Sequence, residues 1–320
     1  MDRLPTRRNL LRATGLAMIA PGLAHAEPFL STVQATTPPL TQAERDAIDA
    51  ALGKKGTYNE AQATHVVALP RNDLKVTVKG ERVPISLGFG GWAAFKCTTD
   101  NKSAVMMSDN VLLEEEVNPL IDAVLAAGLE VGAIHNHFFF ENPRIFYMHV
   151  HGRGDVGELA RSYAAALANS KILPKNQPAP GTPTPHAFDT VALDSIVGNK
   201  GVTNGPSFKY TIGRDDLKIM EMGADMTAAI GLNTWCTFVG TAENAVVAGD
   251  VAMLAHEVNP TIRTLRKAGV EICAVHSHML SEQPRILFLH YLGRGKATEL
   301  AQTFRTVLDG LGKGAASGGH

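Results

Sequence analysis

Apolar positions along the chain change period several times, and each change marks an element. Leu113, Val117, Leu120, Ile121 and Val124 recur at helical spacing, as do Val251, Leu254, Val258, Ile262 and Leu265. Gly128 and Gly269 follow as helix-ending glycines. One strand is expected next in each case, Leu129 to His137 or Val270 to His278, followed by a turn around Glu141-Asn142-Pro143 or its counterpart. A second strand then runs through His149 or His290 to Gly152-Arg153-Gly154 or Gly293-Arg294-Gly295. Closing helices are expected over Leu159–Leu167 and Leu300–Leu311, and earlier strands over His65–Leu69, Leu74–Val78 and Ala104–Met107. Meandering strands mixed with helices predict an α+β fold, with an antiparallel sheet, a His-bearing β-hairpin and packing helices in each half.

The halves are copies of one unit. Residues 109–154 align with 250–295 without a gap, at an offset of 141. Glu116-Val117-Asn118-Pro119 recurs as Glu257-Val258-Asn259-Pro260. His135, His137, Glu141, Pro143, Arg144, Ile145, His149 and Gly152-Arg153-Gly154 recur as His276, His278, Glu282, Pro284, Arg285, Ile286, His290 and Gly293-Arg294-Gly295. Trp92 recurs as Trp235 with a small register change. Residues 173–186, with five prolines, read as an extended connector. The expected layout is a signal peptide at 1–26, a first repeat at 27–172, a linker at 173–187, a second repeat at 188–312 and a tail at 313–320.

The leading segment carries Arg3, Arg7, Arg8 and Arg12, then a mild apolar stretch from Ala13 to Ala20 and the small-x-small site Ala24-His25-Ala26. Thr6 to Arg12 resembles a twin-arginine export signal, which places the mature protein in the periplasm. A basic amphipathic start to a cytoplasmic protein is the alternative. Removing this segment takes away one acid and four bases, so a net charge of −1 becomes −4. Neither value provides the positive field that nucleic acid would need. No apolar run reaches membrane-spanning length, so no stable membrane insertion is expected. Cys97, Cys236 and Cys273 occupy non-equivalent positions, and the sequence does not choose a disulfide among them.

Seven of the 12 histidines crowd into two short windows, at His135, His137, His149 and His151, and at His276, His278 and His290. Strand side chains alternate faces, so His135 and His137 share a face, as do His276 and His278. A hairpin centred on Asn142 would set His135 opposite His149, and one centred on Gln283 would set His276 opposite His290. Three imidazoles with Glu141 or Glu282 as a fourth ligand or orienting acceptor suit a divalent transition metal: zinc or copper first, then iron or nickel. One such site is expected per repeat, the two facing each other across a pseudo-twofold axis as one option. In an enzyme, Glu141 and Glu282 would be the acid/base groups, with Arg144, Arg153, Arg285 and Arg294 holding an anionic small molecule. A hydrogen-bonded network that rigidifies the hairpin, with structural arginines, is the competing reading. His151 is Leu292 in the second copy and is left out of the shared site, while His65, His186 and His256 lack counterparts and read as surface or incidental. Glu114-Glu115-Glu116 reads as helix-dipole stabilisation.

His-x-His-x-x-x-Glu echoes the first cupin motif, but Met148 stands where a glycine should fall, which argues against that fold. No phosphate-binding glycine loop, nucleophile elbow or zincin motif is found. The duplicated Glu-Val-Asn-Pro, His-x-His-x-x-x-Glu-x-Pro-Arg-Ile and Gly-Arg-Gly blocks resemble the LppY/LpqO-type exported bacterial proteins, a family without established function. The resemblance spans nearly the whole mature chain. Some members are lipoproteins, whereas this chain lacks the lipid-attachment Cys. The resemblance implies export and supplies no mechanism. Three functions stay open: a metalloenzyme, a non-catalytic metal-binding or sequestering protein, and a metal-free ligand-binding module.

Overall fold

A computed structural model describes residues 35–178 and 185–313. The expected signal peptide, most of the tail and the middle of the proline-rich segment lie outside the described residues. In the first repeat the main elements are α1 (Gln42–Leu52), β1 (Thr57–Asn59), β2 (Thr64–Pro70), β3 (Gly90–Cys97), β4 (Ala104–Leu113), α2 (Glu114–Ala126), β5 (Glu130–His135), β6 (Ile145–Gly154) and α3 (Val156–Ala166). In the second they are α4 (Thr190–Val197), β7 (Val202–Asn204), β8 (Ser207–Gly213), β9 (Asn233–Gly240), β10 (Ala245–Leu254), α5 (Ala255–Lys267), β11 (Glu271–His276), β12 (Ile286–Gly295) and α6 (Ala297–Gly310). The two sheets are antiparallel and identically ordered, β1-β2-β3-β4-β6-β5 and β7-β8-β9-β10-β12-β11. The fold is therefore α+β, in two homologous repeats.

The central strands differ from their sequence reading. β4 runs to Leu113 rather than ending near Met107, and β10 claims Val251 and Leu254, whose spacing in the sequence is helical. The cause is burial on both faces. On β4, Ala104, Met106 and Leu112 face the helices, whereas Val105, Met107 and Val111 join apolar clusters shared with the second repeat. A strand covered on both sides reads as a continuous apolar run, so its junction with the following helix shows no change of period. Helices α2 and α5 start where a carboxylate accepts the free backbone N–H before them: Glu116 from Leu113 at 2.8 Å and Glu257 from Leu254 at 2.7 Å.

Four layers follow. In each repeat the helices pack on the outer face of their own sheet, Leu120, Val124, Leu159 and Tyr163 against Phe95, Met106, Met148 and Val150, and Leu265, Leu300 and Phe304 against Phe238, Val247, Leu289 and Tyr291. The inner faces meet one another, and two further apolar clusters draw residues from both repeats. A buried guanidinium anchors each repeat: Arg71 donates to Glu116 and Asp73, and Arg214 to Glu257 and Asp216. These arginines passed unnoticed in the sequence, and they give Glu116 a role beyond the helix dipole. Between repeats, the Lys96 ammonium, wholly buried, lies 2.8 Å from the Asp225 carboxylate and donates to its backbone carbonyl at 3.0 Å. The proline-rich segment begins docked on the first repeat, where Leu173 is buried and the Asp73 N–H donates to Gln177 Oε1 at 3.1 Å.

Lys96 has Val239 at its counterpart position, so this ion pair closes the interface on one side only. Breaking a buried pair by deleting one partner leaves the other charge uncompensated, at a cost of about 3–5 kcal/mol. Lys96→Met should lower stability by roughly 3 kcal/mol in urea unfolding, and adding Asp225→Asn should restore much of it. Equal losses in the single and double variants would contradict this reading of the interface.

Candidate metal centre

The inner faces bring polar side chains to the middle of the molecule in register. On neighbouring strands Trp92 pairs with Asp109 and Asp109 with His149, and the second repeat repeats the row as Trp235, Asp250 and His290. The cross-strand partners in the hairpin differ by two residues from their sequence reading. His135 lies opposite Tyr147, and His149 opposite Ala133, because the hairpin centres on position 141 and not on Asn142. Likewise His276 lies opposite Phe288, and His290 opposite Ala274. A residue extra to the ladder, Gly132 or Cys273, shifts the register further along each edge strand. His135 and His149 are thus diagonal neighbours on the same face, still within reach of one another. A Cβ on Gly132 would fall 2.6 Å from the His278 carbonyl oxygen and 2.7 Å from His151 Nε2, so glycine lets this edge strand approach the second repeat.

The six histidines meet in one cluster across the repeat boundary rather than in one site per hairpin. His135 stacks on His276 with centroids 3.6 Å apart. Two matching contacts flank that pair, His137 with His290 at 3.7 Å and His149 with His278 at 4.0 Å. His135 Nε2 and His290 Nε2 are 3.2 Å apart. His137 lies flat on Tyr147 and His278 on Phe288, at 3.3 and 3.4 Å, which fixes both ring planes. Two triads, His135–His276–His290 and His149–His276–His278, each place three ligand-capable atoms within 4.8 Å of one another.

Backbone carbonyls orient several rings. His149 Nδ1 faces the Ser108 carbonyl and His290 Nδ1 the Gly249 carbonyl, each at 3.2 Å, and His137 Nδ1 faces the Gly88 carbonyl at 3.1 Å. A ring whose Nδ1–H donates to a carbonyl turns a basic Nε2 inward, the usual arrangement of a metal-ligating imidazole. Two carboxylates absent from the sequence-derived set complete the cluster. Asp250 Oδ2 is 3.5 Å from His278 Nε2 and 3.9 Å from His290 Nε2, and Asp109 Oδ2 is 3.9 Å from His137 Nε2. Their signal was available as the shared first residue of the two repeat blocks, but the short strand reading stopped before them.

Many of these groups are buried without partners. His135 Nδ1, His137 Nε2, His149 Nε2, His278 Nδ1, both ring nitrogens of His276, and Oδ1 of Asp109 and of Asp250 lack hydrogen bonds. Such an atom costs about 1–3 kcal/mol if nothing satisfies it. Burial, reinforced by neighbouring imidazoles, holds the pKa values of His135, His137, His149 and His276 well below the usual imidazole range. Burial, reinforced by Asp250, raises that of Asp109 well above the usual carboxylate range. The site therefore resists holding protons on its imidazoles.

The remaining candidates sit elsewhere. Glu141 and Glu282 are buried at the hairpin tips, where each accepts the backbone N–H four residues on, from Ile145 at 3.4 Å and Ile286 at 3.0 Å. Each also lies 3.6 Å from the arginine three residues on, Arg144 or Arg285. Arg285 further donates to the Met279 and Leu280 carbonyls. Arg294 reaches across to Glu81 and the Val78 carbonyl, and Arg153 lies beside Gly223 of the second repeat. Arg144, Arg285 and Arg294 thus clasp loops and repeats together. His65, expected to be incidental, is buried and lies 2.7 Å from Asp49. His151 is buried beside the cluster, its pKa lowered to about 4 by burial. His186 and His256 lie apart, near Thr203 Oγ1 and the Lys313 carbonyl. Cys97, Cys236 and Cys273 are all free thiols.

The fold and centre define a tandem α+β protein with an imidazole–carboxylate cluster at the repeat boundary. The chain belongs to the family described as Domain of Unknown Function (DUF1259), whose model matches residues 46–169 and again 191–310. No curated protein matches it significantly. Among solved structures it is similar to a fused permuted hexameric shell protein of the RMM microcompartment, with 11% identity over 65% of this chain and 81% of that one and a TM-score of 0.19. It is also similar to a double-ringed trimeric shell protein of the same microcompartment, with 13% identity, 65% and 82% coverage and a TM-score of 0.19. The trimeric microcompartment shell protein PduB gives 13% identity, 78% and 89% coverage and a TM-score of 0.18. At these scores the likenesses carry no argument about fold or assembly.

A histidine whose folded-state pKa lies below its unfolded value binds fewer protons when folded, so its stabilising effect is complete above about pH 6.5 and is lost as pH falls. Asp109 acts in the opposite sense, since its raised pKa favours the folded state at low pH and that benefit fades as pH rises. With several histidines against one such carboxyl, the metal-free protein should have a lower urea midpoint at pH 5.5 than at pH 7.5. His135→Gln/His276→Gln should narrow that difference. An unchanged midpoint across this range in the parent chain would contradict the proposed environment.

Proposed function

We propose that this protein binds a divalent transition metal at the imidazole–carboxylate cluster, and that the centre belongs to both repeats jointly. One observation carries this reading: buried ring nitrogens and carboxylate oxygens converge from both repeats with no hydrogen-bond partner. Adjacent imidazoles are costly to bury when their lone pairs face only one another, and a divalent cation would satisfy them while favouring ionisation of the two nearby carboxylates. Imidazole with carboxylate suits zinc, copper, iron or nickel, with zinc and copper foremost.

Binding or sequestration fits the site better than turnover. Five of the six histidines are less than about a tenth exposed, His276 being the more accessible one. Arg144, Arg285 and Arg294, candidate anion handles, have partners in the hairpin tips and the facing repeat, and the exposed Arg153 lies beside Gly223. Glu141 and Glu282 each give Oε1 to the hairpin backbone, while Oε2 is buried without a hydrogen-bond partner. The arginine-rich start and small-residue cleavage site support export, as does the resemblance to LppY/LpqO-type proteins, so the metal would be bound in the periplasm. Among the described residues no helix is long and apolar enough to cross a membrane.

The mature chain from Glu27, equilibrated with zinc and freed of excess metal, should retain zinc on elemental analysis. His135→Ala/His276→Ala should lose it while keeping its circular-dichroism spectrum. Equal zinc contents in the two folded proteins, or none in either, would overturn the proposal.

A further inference from the structure

The two three-histidine sets are not independent, because His276 belongs to both. The other rings with a defined anchor can each serve one ion only. His149 and His290 commit Nδ1 to the Ser108 and Gly249 carbonyls, which leaves one nitrogen apiece. His276 differs. Both of its ring nitrogens are buried and lack a partner in good hydrogen-bond geometry, the Phe288 backbone carbonyl being near enough for only a marginal bond to one of them. It also sits centrally, with ring centroids 3.6 Å from His135 and 4.8 Å from His290, and 5.1 Å from His278 and 5.8 Å from His149.

A second group is shared in the same way. Asp250 Oδ2 approaches His278 Nε2 of one triad at 3.5 Å and His290 Nε2 of the other at 3.9 Å, while its Oδ1 is buried without a partner. One imidazole and one carboxylate therefore each touch both triads. A carboxylate has two oxygens, and an imidazole that gives up its remaining N–H has two donor nitrogens.

We infer that the centre takes two divalent ions per chain, bridged by the His276 ring and supported by the Asp250 carboxylate. His135 and His290 complete one ion's set, and His149 and His278 the other's. This rests on the metal-binding reading above. When the second ion binds, the N–H proton of His276 passes to solvent and a metal–nitrogen bond replaces it, with no change of oxidation state. Placing two cations side by side in a buried site also explains why two carboxylates, Asp109 and Asp250, are buried there.

Copper(II) makes the bridge visible, because two such ions joined through one imidazolate couple magnetically. Metal-free mature protein should take up two equivalents of copper(II), with an ordinary mononuclear paramagnetic-resonance signal at one equivalent and loss of most of that signal at two. His276→Gln should abolish the coupling. Binding of a single ion, or of two ions whose signals simply add, would overturn the bridge while leaving the metal-binding reading intact. Failure to bind copper or zinc at all would overturn both. The parent chain decides between these outcomes whether or not the variant folds.

Discussion

The structure is organised around the need to bury the polar inner faces of two sheets against each other. A sheet with helices on one side normally leaves its other face to solvent or covers it with apolar side chains. Here the middle of that face carries the row Trp92–Asp109–His149 and its copy Trp235–Asp250–His290, and each row is covered by the other repeat. The two apolar clusters beside the rows, one around Phe89 and Tyr147 and the other around Ile230 and Phe288, combine side chains of both repeats and hold the sheets together. Lys96–Asp225 and Arg294–Glu81 fasten the rim. An interior with so many unpartnered polar atoms gains stability from any ligand that binds the folded state alone, in proportion to the logarithm of its concentration over Kd.

Duplication explains why such a centre is affordable, and its imperfections explain the bridge. His135 and His276 are equivalent, and so are the flanking contacts His137·His290 and His278·His149. Yet Tyr147 faces Phe288 in the alignment, His151 faces Leu292, and Gly132 faces Cys273. Tyr147 donates its hydroxyl to the Gly88 carbonyl, a bond that Phe288 cannot make at the equivalent place. The two halves of the centre are therefore related without being identical, and His276, not His135, is the ring common to both triads.

Much of this was legible in the chain. The repeat, the α+β class and the six histidines follow from identities at an offset of 141 and from strand alternation. What stayed hidden depended on tertiary context. That the two hairpins share one centre could not be read from either copy alone, since nothing local to His135 names His290. The two-residue change of cross-strand partner arose from the loop at Glu141, and the bulges at Gly132 and Cys273 shift the pairing only beyond it. Asp109 and Asp250 were missed because doubly buried strands lack alternation, so β4 seemed to end before its carboxylate. Glu141 and Glu282 drew notice for their spacing to histidines, although their hydrogen bonds serve the hairpin backbone.

If metal ligands come from both repeats at the sheet interface, X-ray absorption at the zinc edge of the loaded mature protein will register both. A centre shared by both repeats should give an imidazole-rich shell with zinc–nitrogen distances of about 2.0–2.1 Å, altered by His149→Gln in one repeat and equally by His290→Gln in the other. A shell containing sulfur, or one unchanged by either substitution in folded protein, would contradict it.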